Sequence, residues 1–127
     1  MTLEREIIAV PDNKQLPFST VVGLGGLVFV SGLVGRNPES GAIAAGDVGE
    51  QTRQTIANIE RQLAAAGLSL RHVLKATVFL TDMRRVQEMN RAYVSAFDAG
   101  LPARSCVQVV ALPDPEALVE IEVIAHR

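Results

Sequence analysis

The chain has 127 residues, a formal net charge of −2, 48% hydrophobic residues and only 4% aromatic residues. This length fits a single domain, residues 1–127, with one mainly aliphatic core. The small net charge, spread along the chain, argues against a nucleic-acid-binding surface, which needs clustered basic residues, and the single cysteine excludes an internal disulfide bond.

The first ten residues carry acidic side chains where a signal peptide would begin with basic ones. The most apolar stretch, residues 21–35, is shorter than the roughly 20 residues of a membrane span and contains five glycines and a serine. We therefore expect a cytoplasmic protein that does not contact a membrane.

The first third of the chain predicts three strands, at residues 5–10, 18–24 and 27–32. The second and third of these flank Gly25-Gly26, a dipeptide suited to the positive φ angles of a hairpin turn. Turn-forming residues then predict a loop over residues 35–43.

A first helix follows this loop. Asp47 and Glu50 have the spacing of a capping box, and Gly67 stands where a left-handed C-terminal cap is expected. Apolar and small residues recur between them at helical spacing. The predicted buried face consists of Val48, Thr52, Ile56, Ile59, Leu63 and Ala66.

The second half predicts a strand at 72–81, a helix capped by Asp82 and ended by Gly100, and strands at 104–110 and 118–125. Two prolines in the intervening "ALPDPEA" enforce a loop. The predicted buried face of the second helix is Val86, Met89, Tyr93 and Phe97.

The resulting order, β-β-β-α-β-α-β-β, predicts an α+β fold, a two-layer sandwich of a mixed sheet with both helices on one face. Strand alternation indicates which face the helices cover. The uniformly aliphatic side takes Leu74, Ala76, Val78, Leu80, Val119, Ile121, Val123 and Ala125. The opposite side mixes apolar with charged residues: Val73, Lys75, Thr77, Phe79, Leu118, Glu120, Glu122 and Ile124. This mixed face either meets solvent or, as its large apolar residues favour, contacts other copies of the chain.

Arg104 and Cys106 stand in "PARSCV", directly before a run of valines typical of a buried strand. A guanidinium at the start of such a strand can clamp a ligand carboxylate with paired hydrogen bonds, or it can form a structural ion pair. Cys106 could be a nucleophile, but no histidine stands in a recognisable dyad context, so packing is the simpler role. The two histidines and one cysteine are too scattered for a metal site.

Several motifs occur together in order: "FVSG", "NPESG", "VLKATVFLTDM", "MNRAY", "PARSCV" followed by "QVVALP", and "VEIEVIA". On these motifs the chain resembles the reactive intermediate deaminase family (Rid, also called YjgF/YER/UK, with RidA as its type). The resemblance implies a homotrimer of chorismate-mutase-like subunits with clefts between them. It also implies hydrolytic deamination of small carboxylate-bearing enamines or imines, such as 2-aminoacrylate and 2-iminopropionate, with no metal or cofactor and no nucleic-acid partner.

The same resemblance assigns roles to individual residues. It implies that Arg104 binds the substrate carboxylate and that Glu120, rather than its neighbour on the same face Glu122, handles the hydrolytic water. The substrate pocket would further include Cys106, Ser31, Gly32, Phe18 and Asn90. Phe18 and Leu33 depart from the tyrosine and glutamine usual in the family, which leaves the substrate open.

Three other functions are compatible with this pattern. The cleft could bind keto acids or other carboxylates as a regulatory module without turnover. A catabolic deaminase of the 2-aminomuconate type is a second alternative, since Phe18 and Leu33 make the pocket more apolar. An endoribonuclease is the third, although the sequence offers neither a basic groove nor a platform of aromatic residues for RNA.

Overall fold

One mixed sheet of six strands, in the order β1-β2-β3-β6-β4-β5, organises the computed structural model, which describes residues 3–98 and 100–127. Within that sheet β4 and β5 run parallel, and the other neighbouring strands pair antiparallel. The strands are β1 Glu6–Ala9, β2 Val21–Leu24, β3 Leu27–Val34, β4 Val73–Leu80, β5 Ala103–Gln108 and β6 Val119–His126. The predicted fold class and element order are confirmed.

The first helix, α1 (Val48–Ala65), has the termini that the sequence predicts. The Asp47 side chain accepts a hydrogen bond of 3.0 Å from the Glu50 backbone N–H. At the other end Gly67 adopts a φ of 74°, and the Leu68 N–H donates to the Leu63 carbonyl at 2.9 Å. This pairing satisfies carbonyls that the last turn would otherwise leave free.

The second helix, α2 (Val86–Ala96), begins later than predicted. Asp82 does cap a helical segment, since its carboxylate accepts from the Arg84 N–H at 3.0 Å, but that segment is the 3-10 turn Met83–Arg85. The residues between Asp82 and the α-helix form this tighter 3-10 turn, a common arrangement at helix N-termini. α2 ends before Gly100, which has a φ of 120°.

The predicted division of strand residues between the two sheet faces holds along β6 but fails at the start of β4. Val73 is only 8% exposed whereas Leu74 is 47% exposed, the reverse of the prediction. The register between β4 and β6 shifts between Val73 and Lys75, so one extra residue is accommodated there. Such a bulge reverses the alternation of side chains, and period-two patterning does not anticipate it.

A second irregularity interrupts β3 at Ser31 and Gly32. Val30 pairs with Val123 and Leu33 with Ile121, so three steps on β3 match two on β6. Beyond this bulge Leu33 packs against the core and Val34 pairs with Glu120. The bulge therefore sets which residues flank Glu120, and the strand extends two residues beyond its predicted end.

The sheet face opposite the helices carries large, partly exposed apolar side chains. The ladder aligns Phe29 with Ile124, and Val107 with Phe79 and Glu120, on this face. Phe29 is 40% exposed and Val107 is 44% exposed. We call the surface formed by Val22, Phe29, Lys75, Thr77, Phe79, Ser105, Val107, Glu120, Glu122 and Ile124 the open face. Its composition follows the predicted mixture of apolar and charged residues.

Neither helix in the described part of the chain is long and apolar enough to cross a bilayer.

Gln51 connects α1 to the loop that leads into β6. Its amide nitrogen donates to the Glu116 carbonyl at 3.2 Å, and its amide oxygen accepts from the Leu118 N–H at 2.8 Å. The side chain is only 4% exposed, so both backbone groups depend on it for hydrogen bonds. Gln51 thereby fixes the start of the strand that carries Glu120.

Replacing Gln51 by methionine keeps the shape of the side chain but leaves two backbone groups near residues 116–118 without partners. We expect Gln51→Met to lower the free energy of unfolding by about 2 kcal/mol. Urea denaturation of the variant beside the unmodified protein measures this difference. Gln87→Met, at an exposed position of α2, is the matched control and should change stability by less than about 0.5 kcal/mol. Equal stability of the two variants would contradict the role given to Gln51.

Candidate active site

The residues predicted to form the site divide into two groups on opposite faces of the sheet. Arg104 pairs with Ala76, and Ala76 pairs with Val123, which is buried on the helix side. Glu120 pairs with Phe79 on the open face. Directly paired residues point to the same side of a sheet, so Arg104 faces the helices and Glu120 faces away from them.

The Arg104 guanidinium lies against α2. Its Nη1 is 3.9 Å from the Met89 sulfur, and its Cζ stands 4.8 Å from the centre of the Tyr93 ring. The side chain is half-buried, and within residues 3–98 and 100–127 it forms no ion pair. The structural ion pair that the sequence left open as an alternative is therefore not formed by these residues.

Cys106 and Asn90 belong to the same side as Arg104. Cys106 pairs with the buried Val78 and packs at the margin of the core. Burial raises the pKa of the Cys106 thiol, while the nearby Arg104 charge acts in the opposite direction. A thiol with a raised pKa is a poor nucleophile, which agrees with a packing role. Asn90 follows Met89 on α2, and its side-chain oxygen is buried without a hydrogen-bond partner among the described residues.

Glu120 lines a cavity of about 790 Å³ together with Phe18 and Gly32. Gly32 is the contact that lets the carboxyl sit there, because a Cβ at that position would lie 2.8 Å from Glu120 Oε2. Burial raises the pKa of Glu120, and the neighbouring Glu122 charge raises it further. The carboxyl is therefore closer to a proton-exchanging state near neutral pH than an ordinary surface glutamate.

Ser31 holds the chain around this cavity together. Its hydroxyl donates to the Ser19 carbonyl at 2.7 Å, and its N–H donates to the Thr20 carbonyl at 2.9 Å. These bonds fasten the segment that carries Phe18, whose side chain is 45% exposed, to the bulge in β3. The serine hydroxyl is thus engaged with backbone, between Phe18 and Gly32, which line the cavity.

The sequence did not single out three features of this region. Met89 and Tyr93 were predicted only as buried helix residues, because nothing in the pattern of α2 indicates that Arg104 lies beside them. The ion pair between Arg36 and Asp114, both of which line the Glu120 cavity, joins residues 78 positions apart. Contacts between distant loops of this kind leave no periodic signal in a sequence.

These placements limit what one chain can do alone. β4 lies between β5 and β6, so the strands that carry Arg104 and Glu120 are roughly 10 Å apart, and the ladder also offsets the two residues by about 10 Å along the strands, because Arg104 pairs with Ala76 and Glu120 with Phe79. Their side chains also point to opposite faces. A three-carbon or four-carbon molecule cannot contact both groups of the same chain. We therefore describe two half-sites, an arginine half-site (Arg104, Cys106), on the side of the sheet where Asn90 of α2 also lies, and a glutamate half-site (Phe18, Gly32, Glu120).

Comparisons with known proteins identify the family. The family model described as Endoribonuclease L-PSP matches residues 11–127. The Escherichia coli K12 "Putative reactive intermediate deaminase TdcF" is 43% identical over 114 residues, covering 87% of each chain. The mouse "2-iminobutanoate/2-iminopropanoate deaminase" is 40% identical over 109 residues, covering 86% of this chain and 80% of the mouse protein. The crystal structure of E. coli TdcF with bound serine superposes with a TM-score of 0.85 at 37% identity, covering 100% of this chain and 98% of that one. The chain belongs to the Rid (YjgF/YER/UK) family.

Proposed function

We propose that the protein is a cytoplasmic deaminase that hydrolyses small carboxylate-bearing imines and enamines, such as 2-iminopropionate and its tautomer 2-aminoacrylate, to 2-keto acids and ammonia. The observation that carries this proposal is the Arg104 guanidinium, which is half-buried and forms no ion pair with the described residues. Such a cation is suited to bind an anionic ligand, because its fork of N–H donors matches a carboxylate. The relatives named as a reactive intermediate deaminase and as a 2-iminobutanoate/2-iminopropanoate deaminase support the same reaction class.

The proposed reaction uses water and one carboxyl group. The carbon of a protonated imine is electrophilic, and water adds to it as Glu120 accepts a proton from the water. The product is a carbinolamine, whose nitrogen takes up that proton. The C–N bond then breaks, the hydroxyl oxygen becomes the keto oxygen, and its proton passes to the departing ammonia, which leaves as ammonium. Overall one water is consumed and one ammonia is released, and Glu120 returns to its starting state.

The two half-sites lead to a proposed assembly. Since Arg104 and Glu120 point to opposite faces of one sheet, a complete site needs the arginine half-site of one subunit and the glutamate half-site of another. The open face supplies an apolar surface for such contact, with Phe29 and Val107 partly exposed in the single chain. The family resemblance favours a homotrimer with three equivalent clefts, an arrangement in which each subunit gives one half-site to each neighbour.

The cavity around Glu120 bears on substrate choice. Phe18 replaces the phenol usual in the family, and its ring offers an apolar wall without a hydrogen-bonding group. This wall suits substrates with an alkyl side chain, such as 2-iminobutanoate, better than polar ones. The same apolar wall suits a longer carbon chain, so a 2-aminomuconate-type substrate is a candidate for direct comparison in the same assay.

Removing the guanidinium should abolish substrate capture. With 2-aminoacrylate generated by a pyridoxal-phosphate-dependent dehydratase, we expect Arg104→Ala to lower kcat/KM by at least about a hundredfold, since a charge-assisted, bidentate contact is lost. The decay of the imine absorbance measures this rate. Arg91→Ala, at an exposed position of α2, is the matched control and should retain full activity. If the unmodified protein binds pyruvate without accelerating imine decay, it is a carboxylate-binding module and the enzyme proposal is wrong.

Mixed oligomers test whether the half-sites come from different subunits. Arg104→Ala and Glu120→Gln should each be inactive alone, but an equal mixture assembled by co-refolding should regain roughly a quarter of the sites of the unmodified protein in a cyclic trimer. The imine-decay assay measures the recovery. Arg104→Ala mixed with the Arg104→Ala/Glu120→Gln double variant is the control, because no subunit of that mixture has an intact guanidinium. Failure of the first mixture to exceed this control would contradict shared sites.

The pH dependence tests the proposed role of Glu120 as the base. Activity requires its carboxylate form, so kcat/KM should fall as pH drops through its raised pKa. Glu122→Gln removes a neighbouring negative charge, which should lower the pKa of Glu120 and move this acidic limb to lower pH. A kcat/KM profile between about pH 4 and 8 measures the shift. Glu116→Gln, an exposed loop carboxylate, is the matched control. An acidic limb that stays in place, or moves to higher pH, in Glu122→Gln would contradict the assignment.

A further inference from the structure

The guanidinium of Arg104 is held by an unusual pair of neighbours. A half-buried arginine ordinarily directs its five N–H donors at carboxylates or carbonyl oxygens, which then occupy them. Here the contacts are a thioether sulfur at 3.9 Å and the face of an aromatic ring at 4.8 Å. Both stabilise a cation, yet neither is a strong hydrogen-bond acceptor.

Tyr93 contributes its ring rather than its hydroxyl. The side chain is only 2% exposed, and the hydroxyl oxygen is buried without a hydrogen-bond partner among the described residues. An unsatisfied buried hydroxyl costs stability, so hydrogen bonding does not explain the placement of this residue. Phe97 packs against the ring with centroids 4.8 Å apart and holds its orientation. The π face directed at Arg104 is therefore a fixed surface.

Met89 occupies the turn of α2 before Tyr93, four residues away, so both side chains lie on the same face of the helix. It is fully buried. Its sulfur is a weak hydrogen-bond acceptor. It can contact an N–H of Arg104 without preventing that N–H from donating to a ligand carboxylate. Because these two residues lie on a helix and Arg104 on a strand, the contact joins two rigid elements.

We propose that Met89 and Tyr93 are positioning residues for Arg104: together they hold its guanidinium in a fixed orientation through soft contacts, and they thereby leave its N–H donors free for the carboxylate of a ligand. This inference depends on the proposed function only for the identity of the ligand. The orientation of the guanidinium itself is a property of the protein without substrate.

Two tyrosine variants separate the ring from the hydroxyl. Tyr93→Leu removes the π face, and we expect KM for the imine and Kd for pyruvate to rise about tenfold while kcat changes by less than about threefold. Tyr93→Phe keeps the ring, and we expect its KM and Kd to lie within about twofold of those of the unmodified protein. Thermal unfolding by circular dichroism verifies that each variant folds. If Tyr93→Phe loses as much affinity as Tyr93→Leu, the hydroxyl is the important group and the inference is wrong.

Met89 allows a complementary comparison of acceptor strength at nearly constant volume. Met89→Leu offers no acceptor, and we expect it to raise Kd for pyruvate by about twofold or less. Met89→Gln places a strong acceptor beside the guanidinium, and we expect it to raise Kd by about tenfold because the amide oxygen occupies donors that the ligand needs. Equal Kd values for the two variants would overturn the claim that a weak acceptor keeps the donors free.

A spectroscopic signal tests the orientation without any activity. In protein labelled with ¹⁵N-arginine, the Arg104 Nε–H resonance, assigned by its loss in Arg104→Lys, should be shifted upfield by the ring current of Tyr93. The shift should persist in Tyr93→Phe and disappear in Tyr93→Leu. An Arg104 resonance at the same position in Tyr93→Leu and the unmodified protein would refute the inference. Since this measurement needs no turnover, it decides the inference even if the imine assay rejects the proposed function.

Discussion

The alternation of side chains across a β-sheet is the constraint on which the rest of this protein depends. Arg104 and Glu120 stand on strands separated only by β4, yet the ladder places one toward the helices and the other toward the open face. No rotamer change carries a side chain through a packed sheet. A reaction that needs a cation and a carboxyl at one small molecule therefore requires a second copy of the chain. Such a site is complete only when the subunits assemble.

Local departures from regular structure tune the glutamate half-site. The bulge at Ser31 and Gly32 interrupts the regular pairing of β3 and brings Val34 opposite Glu120. The lack of a side chain at Gly32 leaves room for the Glu120 carboxyl, since a Cβ there would lie 2.8 Å from Glu120 Oε2 and the carboxyl would have to shift. The Ser31 hydroxyl uses the same bulge to secure the segment of Phe18. This one bulge thus leaves room for the Glu120 carboxyl, and it anchors the loop between β1 and β2 that carries the cavity residue Phe18.

The sequence predicted most of the fold because its elements carry local signals. Asp47 and Gly67 mark the ends of α1, and the aliphatic alternation of β6 identifies the covered face. Leu74 was assigned to the wrong face because a bulge adds one residue without any change in residue type. The division of the site into two halves was also not predicted in detail. The sheet face on which Arg104 lies follows only from its pairing with Ala76. That pairing of β4 with β5 is a non-local property of the sheet, which a local sequence pattern does not indicate.

In the proposed cleft, the charges of the two half-sites also determine which way a substrate lies. A protonated imino acid has an anionic end, the carboxylate, and a cationic end, the iminium. Arg104 attracts the first, and Glu120, with Glu122 beside it, attracts the second. In the isolated chain each arrangement costs free energy, because the guanidinium has no strong acceptor among the described residues and the carboxyls of Glu120 and Glu122 repel one another. A zwitterionic ligand bound between subunits relieves both costs at once, and in the reversed orientation it would relieve neither. The orientation that electrostatics favours is also the one that presents the C=N carbon to Glu120, the carboxyl that we propose as the base for water.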